Sequence, residues 1–93
     1  MKITVEKLTE QQISEMKIRQ WPIWEKEISE FDWFYDSMEQ CLFLEGHVIV
    51  ETANGKTEIN KGDFVTFPEG LKCVWKVLSP VKKHYKFYNF SRR

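Results

Sequence analysis

The sequence contains little cysteine and no long hydrophobic run. Its two cysteines, Cys41 and Cys73, are too few for the disulfide framework of a small secreted domain. No apolar stretch approaches the ~18–20 residues that a membrane-spanning helix needs. The first residues, Met1 to Glu6, are charged and do not resemble a signal peptide. We therefore expect a cytoplasmic protein in which the two thiols are reduced and separately buried.

Net charge is also absent, because fourteen basic residues balance fourteen acidic ones. This balance argues against electrostatically driven binding to nucleic acid, and no membrane partner is expected. Acidic residues nevertheless dominate between Gln20 and Asp63, whereas from Lys72 onward seven residues are basic and none is acidic. The basic end could be a patch for an anionic partner. Pairing of basic strands beside acidic ones in one sheet is the favoured interpretation.

The chain is short enough to form a single domain. We predict that residues 1–93 form one unit, with residues 1–20 as an N-terminal strand and helix segment and residues 21–93 as a barrel. Apolar residues make up 42% of the sequence and aromatic residues 15%. Such bulky material suits a compact barrel or sandwich and argues against disorder.

A helix signal occurs in one place only. Thr9 is followed at the third position by Gln12, the pattern of a capping box, and Ile13 begins a weak apolar stripe. We predict one short helix from about Glu10 to Lys17, which Pro22 prevents from continuing.

The remainder of the chain has the pattern of short strands joined by turns. The strongest hairpin signal is Asn54-Gly55, and Gly46-His47 and Pro80 are expected to separate consecutive strands. The predicted strands span residues 23–28, 31–35, 39–45, 48–52, 56–59, 64–67, 72–78 and 84–90. The aromatic run 31–35 is expected to be covered on both faces. About eight or nine short strands predict an antiparallel barrel or jelly roll.

Two motifs, each with a glycine at a fixed spacing from other residues, carry a family resemblance. Six residues separate Glu39 from Gly46, and Gly62 is followed after five residues by Pro68-x-Gly70 and then, two residues later, by Cys73. The surrounding segments that share the resemblance are Trp21-Pro22-Ile23-Trp24, Glu30-Phe31-Asp32-Trp33, the run from Phe67 to Val77, and Lys83-His84-Tyr85. The chain resembles the small single-domain cupins grouped with the cupin domain of ureidoglycine aminohydrolase and the ethanolamine-utilisation cupins. The resemblance implies an all-β, antiparallel cupin (RmlC-like) jelly-roll barrel with one short N-terminal helix.

The positions of the family's metal ligands mostly hold other residues. The two histidine positions of the first motif fall on Trp33 and Tyr35, or on Asp32 and Phe34 if the spacer before Glu39 is one residue longer. In the second motif, the histidine position falls on Cys73 and the asparagine position on Val77. Glu39 alone is unaltered, and with Cys73 it supplies two ligands where a first-row metal wants three or four. We therefore expect no metal and no cofactor, and the histidine-dependent activity of the family's metallohydrolase is not carried over.

Strand alternation, together with the motif frames, predicts which side chains face the barrel interior. We expect the ligand-binding residues to be Trp33, Tyr35, Glu39, Cys41, Phe43, Cys73 and Trp75. A carboxylate among aromatic rings could act as a general acid or base or bind an amine or guanidinium. The ring faces would favour a flat or cationic ligand. Equally, the side chains could simply fill the barrel, as in many small barrels.

Cysteine and histidine add weaker signals. Cys73 is most simply a small buried hydrophobe. As a nucleophile it lacks an evident positive neighbour, and as a soft metal ligand it would need Cys41 or Glu39. His47 follows a glycine turn and His84 lies in a basic run, so both are expected to face solvent.

Three functions are compatible with this interior. The favoured one is binding of a small molecule without the usual catalytic metal. The second is a metal-independent acid–base enzyme, isomerase- or epimerase-like, with Glu39, Tyr35 and Cys73 as candidate catalytic residues. The third is a structural or protein-interaction module with a filled barrel, which exposed Trp21 and Trp24 would favour. These two residues could also pack the N-terminal segment against the barrel or pack across a homodimer. Glu39 could also simply accept hydrogen bonds from Tyr35 or backbone donors. Because a buried charge is costly unless it is paired or hydrogen-bonded, Glu39→Gln is expected to leave the melting temperature unchanged or higher and to abolish ligand binding.

Overall fold

The computed structural model describes residues 1–88. The elements are β1 (Thr4–Glu6), α1 (Glu10–Glu15), a 3₁₀ turn (Ile18–Gln20), β2 (Ile23–Lys26), β3 (Ser29–Phe34), β4 (Met38–Thr52), β5 (Gly55–Asn60), β6 (Phe64–Phe67) and β7 (Lys72–Tyr88). Within these residues, neither helical segment has the length and apolar character needed to cross a bilayer. The fold is an all-β antiparallel barrel with one α-helix, as predicted, whereas the part of the last predicted strand beyond Tyr88 lies outside the described residues.

The helix begins at the predicted capping box. The Thr9 hydroxyl accepts a hydrogen bond from the Gln12 backbone N–H at 3.1 Å, and the Gln12 side chain accepts one from the Thr9 N–H at 2.8 Å. The helix ends at Glu15, two residues earlier than predicted. Lys17 then adopts a left-handed backbone conformation, with φ of 57°, and the chain enters the 3₁₀ turn.

Two long strands, β4 and β7, organise the sheet. They pair antiparallel from Met38 opposite Tyr88 to Glu51 opposite Val74. β4 also pairs with β5 and β6, β7 pairs with β2 and β3, and β1 pairs with β6. The predicted separation of strands at Gly46-His47 and at Pro80 is therefore wrong. Register shifts between residues 43 and 48 let both strands continue, and Pro80, which has no N–H to donate, lies opposite this irregular stretch.

Alternation along the two long strands is confirmed by burial. The predicted inward residues are all buried: Glu39, Cys41 and Phe43 on β4, and Cys73, Trp75 and Val77 on β7. The expectation that the aromatic run in β3 is covered on both faces is wrong, because the adjacent residues Trp33 and Phe34, which point to opposite faces of the strand, are both exposed. Its Trp33 and Phe34 side chains are 46% and 57% exposed.

Charges of opposite sign meet across neighbouring strands, as the uneven charge distribution predicts. Glu30 on β3 is paired in register with Lys76 on β7. The Lys76 ammonium also lies 2.8 Å from a carboxylate oxygen of Glu51 on β4. This hydrogen bond lowers the pKa of Glu51 and raises the pKa of Lys76. The basic C-terminal strand is thus at least partly matched by acidic neighbours within its own sheet.

Candidate functional site: an aromatic cavity over a buried ion pair

A cavity of about 160 Å³ lies beside β7. Its wall is formed by Trp24, Phe31, Trp33, Tyr35, Glu39, Trp75, Lys83, Tyr85 and Phe87. Trp33 and Phe87 are 46% and 43% exposed and form the rim, whereas Tyr35, Glu39 and Trp75 are buried and form the floor. The cavity therefore has aromatic walls, a solvent-facing mouth and polar groups at depth.

The floor holds an ion pair between Glu39 and Lys83. The Lys83 Nζ atom lies 2.9 Å from Oε2 of Glu39, and the two side chains are only 4% and 5% exposed. Removing two charges from water costs several kcal/mol each, which good geometry and further polar contacts must offset. The ammonium also lies 4.6 Å from the ring centroid of Trp75 and 4.8 Å from that of Trp24. These cation–π contacts supply part of that compensation.

Tyr35 completes the polar floor. Burial, followed by the negative charge of Glu39 and a hydrogen bond to it, raises the pKa of Tyr35 far above its ordinary value. The side chain therefore remains a neutral phenol over the whole working pH range. Its ring stacks on Phe67 with centroids 4.8 Å apart, which fixes the hydroxyl relative to the carboxylate.

Trp75 lies at the centre of the aromatic cluster. Its ring packs against Trp24, Phe31 and Phe67 with centroid distances of 5.8, 5.9 and 5.6 Å. Its indole nitrogen is buried and has no hydrogen-bond partner among the described residues. A buried indole N–H usually finds an acceptor, so this one is a donor that the protein itself leaves unused.

The structure brings together four of the seven residues predicted to bind ligand. Trp33, Tyr35, Glu39 and Trp75 line the cavity, whereas Cys41, Phe43 and Cys73 belong to the surrounding core. The Cys41 thiol donates to the Val65 carbonyl at 3.8 Å, and the Cys73 thiol donates to the Trp33 carbonyl at 3.6 Å. Both cysteines are free and buried, as predicted.

Lys83 is the charged site residue that sequence analysis does not predict. The predicted last strand begins one residue later, and a lysine within a basic run gives no local sign of burial. The available signal is the alternation of β7, which continues past Pro80 through Val81, Lys83 and Tyr85. The other lining residues without a predicted role in the site are Trp24, Phe31, Tyr85 and Phe87.

One further expectation about exposure, that of His84, is corrected, and the two tryptophans beside Pro22 are located. His84 is buried, and its Nδ1 lies 2.9 Å from the carbonyl oxygen of Trp21, so it does not face solvent. Trp21 and Trp24 are both partly buried, because Trp21 packs against Phe64 and Trp24 against Trp75. His47 remains partly exposed and is paired with Glu58.

The side chains at the family's metal positions do not fit a metal ion. Within residues 1–88, His, Cys, Asp and Glu side chains do not gather in any group of three or more. The motif glutamate Glu39 is bonded to an ammonium, and Cys73 donates its proton to a backbone carbonyl away from the cavity wall. The positive charge beside Glu39 therefore comes from the Lys83 ammonium, where a bound metal cation would otherwise provide it.

Both thiols should react slowly in the folded protein. Burial and then the charge of Glu39 raise the pKa of Cys73 to about 11. Burial likewise raises the pKa of Cys41, although the Lys83 ammonium opposes the shift. Because the thiolate is the reactive form, we expect native labelling by a thiol reagent at pH 8 to be far slower than labelling in urea. Between pH 8 and pH 10, labelling of Cys73 should accelerate about tenfold per pH unit.

Single-cysteine variants make this thiol measurement specific. Cys41→Ser reports on Cys73, and Cys73→Ser reports on Cys41. Thiols in the unfolded chain have a pKa near 8.5, whereas both thiols of the folded protein have a higher pKa. Their contribution to the free energy of unfolding is therefore complete below about pH 8.5 and falls as the pH rises above it. Rapid native labelling of either variant at pH 8 would contradict the expected burial.

Comparison with known proteins identifies relatives over most of the chain. The family model described as EutQ-like cupin domain matches residues 13–85. The crystal structure of a DUF861 family protein from Thermotoga maritima is 55% identical, with a TM-score of 0.91, and the match covers 94% of this chain and 100% of that one. Comparison with curated proteins gives no match.

More distant structures share the fold over part of their length. A DUF861 family protein of unknown function from Pseudomonas syringae is 26% identical, with a TM-score of 0.65, over 71% of this chain and 29% of that one. The EutQ protein of Clostridium difficile is 21% identical, with a TM-score of 0.66, over 71% of this chain and 52% of that one. The EutQ likeness concerns the fold alone.

Proposed function

The chain belongs to the EutQ-like cupin family, and from this premise we propose that it binds a small molecule in its aromatic cavity without a catalytic metal. The observation that carries the proposal is the open cavity of about 160 Å³, with ring faces on its walls and the Glu39–Lys83 pair on its floor. An apolar cavity of about 150 Å³ accommodates benzene in another protein. A ligand of about one six-membered ring therefore suits this cavity.

The two other functions have less support. The Glu39 carboxylate is bonded to the Lys83 ammonium and the Tyr35 phenol, so it is engaged by the protein's own side chains, which disfavours acid–base catalysis by Glu39. Cys73, a second catalytic candidate, does not line the cavity. A filled barrel would leave no such space, although the cavity is smaller than the ~300–1,000 Å³ typical of drug-sized ligands.

The four tryptophans provide a direct test of binding. Single-ring compounds are titrated into ¹⁵N-labelled protein while the indole N–H resonances are followed by NMR. We expect saturable shifts for Trp24, Trp33 and Trp75, which line the cavity. Trp21, which packs against Phe64 and is not part of the cavity wall, should not shift. The proposal fails if no compound gives saturable shifts, or if all four resonances move equally.

A matched pair of variants in β3 locates the binding site. Trp33 and Phe34 are adjacent and 46% and 57% exposed, but only Trp33 lines the cavity. Trp33→Ala should weaken binding roughly 2- to 12-fold, corresponding to the ~0.5–1.5 kcal/mol of an aromatic pair. Phe34→Ala should leave the affinity unchanged. Equal weakening by both substitutions would place the ligand elsewhere.

A further inference from the structure

The charges of the cavity restrict what kind of ring can bind. Lys83 is the one cationic side chain among the described residues that line it, and it already lies over the rings of Trp75 and Trp24 at 4.6 and 4.8 Å. The favourable position for a cation on these rings is therefore occupied by the protein itself. A cationic ligand would also be repelled by the buried ammonium. Glu39, which the sequence suggested could bind a ligand amine, is instead paired with Lys83 inside the protein.

An anionic ligand is disfavoured for a related reason. The charge of Lys83 is balanced by Glu39 at 2.9 Å, so the floor of the cavity is neutral as a whole. An additional anion would be placed beside the Glu39 carboxylate in a region of low solvent access, without a second cation in the wall to balance it. The electrostatics of the site therefore favour a ligand without net charge.

The Lys83 ammonium is the charged hydrogen-bond donor of the cavity wall. Lys83 has three N–H groups, of which Oε2 of Glu39 accepts one, while the others meet ring faces and the weakly accepting sulfur of Cys41. A carbonyl oxygen is a stronger acceptor than a ring face or a thiol, so a neutral ligand that carries a carbonyl complements this donor.

We propose that the cavity selects neutral, planar, single-ring compounds that carry a carbonyl-type acceptor. The ring packs against the aromatic wall formed by Trp24, Phe31 and Trp75, and the carbonyl oxygen accepts a hydrogen bond from Lys83 Nζ. This inference rests on the proposed function, because it specifies the ligand class of the same cavity.

Four probes with one ring and different substituents test the ligand class. Benzamide is neutral with a carbonyl acceptor, toluene is neutral without one, benzoate is an anion and benzylamine is a cation at pH 7. We expect benzamide to bind at least tenfold more tightly than each of the other three, measured by the tryptophan NMR titration. Tighter or equal binding of toluene, benzoate or benzylamine overturns the inference while leaving the proposed function intact. Failure of all four probes to bind overturns both.

Discussion

Lys83→Met should lower the free energy of unfolding by about 3–5 kcal/mol at neutral pH, because it leaves the buried Glu39 carboxylate without its cation. Both side chains are at most 5% exposed, so water does not replace the lost partner. Small domains have a total stability of about 5–15 kcal/mol, and the loss would therefore be a large fraction of it. Urea unfolding followed by far-UV circular dichroism measures the change without relying on the nearby tryptophans.

The double variant separates the loss of a partner from the loss of packing. Glu39→Gln alone should cost about 1–3 kcal/mol, since the amide still accepts a hydrogen bond but leaves the Lys83 charge unbalanced. This replaces the sequence-based expectation that Glu39→Gln preserves thermal stability. Glu39→Gln combined with Lys83→Met should be more stable than Lys83→Met alone, because no buried charge remains unpaired.

A neighbouring lysine serves as the control for this pair. Lys82 is adjacent to Lys83 on β7 but is only partly buried, and it is paired in register with Glu25 and Glu45. Lys82→Met should therefore change stability by less than about 1 kcal/mol, as expected for surface pairs. A loss of less than 1 kcal/mol for Lys83→Met, or equal losses for the two lysines, would contradict a structural role for the buried pair.

Gly46→Ala should be among the most destabilising single substitutions in the chain. Gly46 has φ of +115°, and a Cβ built there would lie 2.9 Å from the Pro80 carbonyl oxygen and 2.9 Å from Cα of Val81. Both are backbone atoms of β7, which cannot move without disturbing the pairing of the two long strands. Backbone strain of about 1–3 kcal/mol adds to an overpacking cost of similar size.

Gly55 provides a matched control for the role of Gly46. It has a similar φ of +129°, but a Cβ there would meet no atom within 4 Å. Gly55→Ala should therefore show the backbone strain alone, about 1–3 kcal/mol, whereas Gly46→Ala should cost at least 1 kcal/mol more. Thermal and urea unfolding of the two variants compare them directly. Equal losses would mean that the close approach of β4 and β7 does not constrain Gly46.

Features that depend on neighbouring residues were determined by the sequence itself. The capping box of Thr9 and Gln12 and the hairpin at Asn54-Gly55 require contacts only three or four residues apart, so their residue types identify them directly. The inward face of β4, including Glu39, follows from a period of two, and the cupin frames of glycine and proline place it in the barrel. The fold and about half of the candidate site were predictable in this way.

The remaining features were decided only by the tertiary structure. Glu39 and Lys83 are separated by 44 positions, and their pairing depends on the register of β4 and β7 beyond the irregular stretch at Gly46. The burial of His84 depends on the carbonyl of Trp21, 63 positions away. Short-range patterns carry no information about such registers, because the same alternation is compatible with many pairings. The sequence therefore predicts an inward carboxylate, and the tertiary structure determines that a lysine balances its charge.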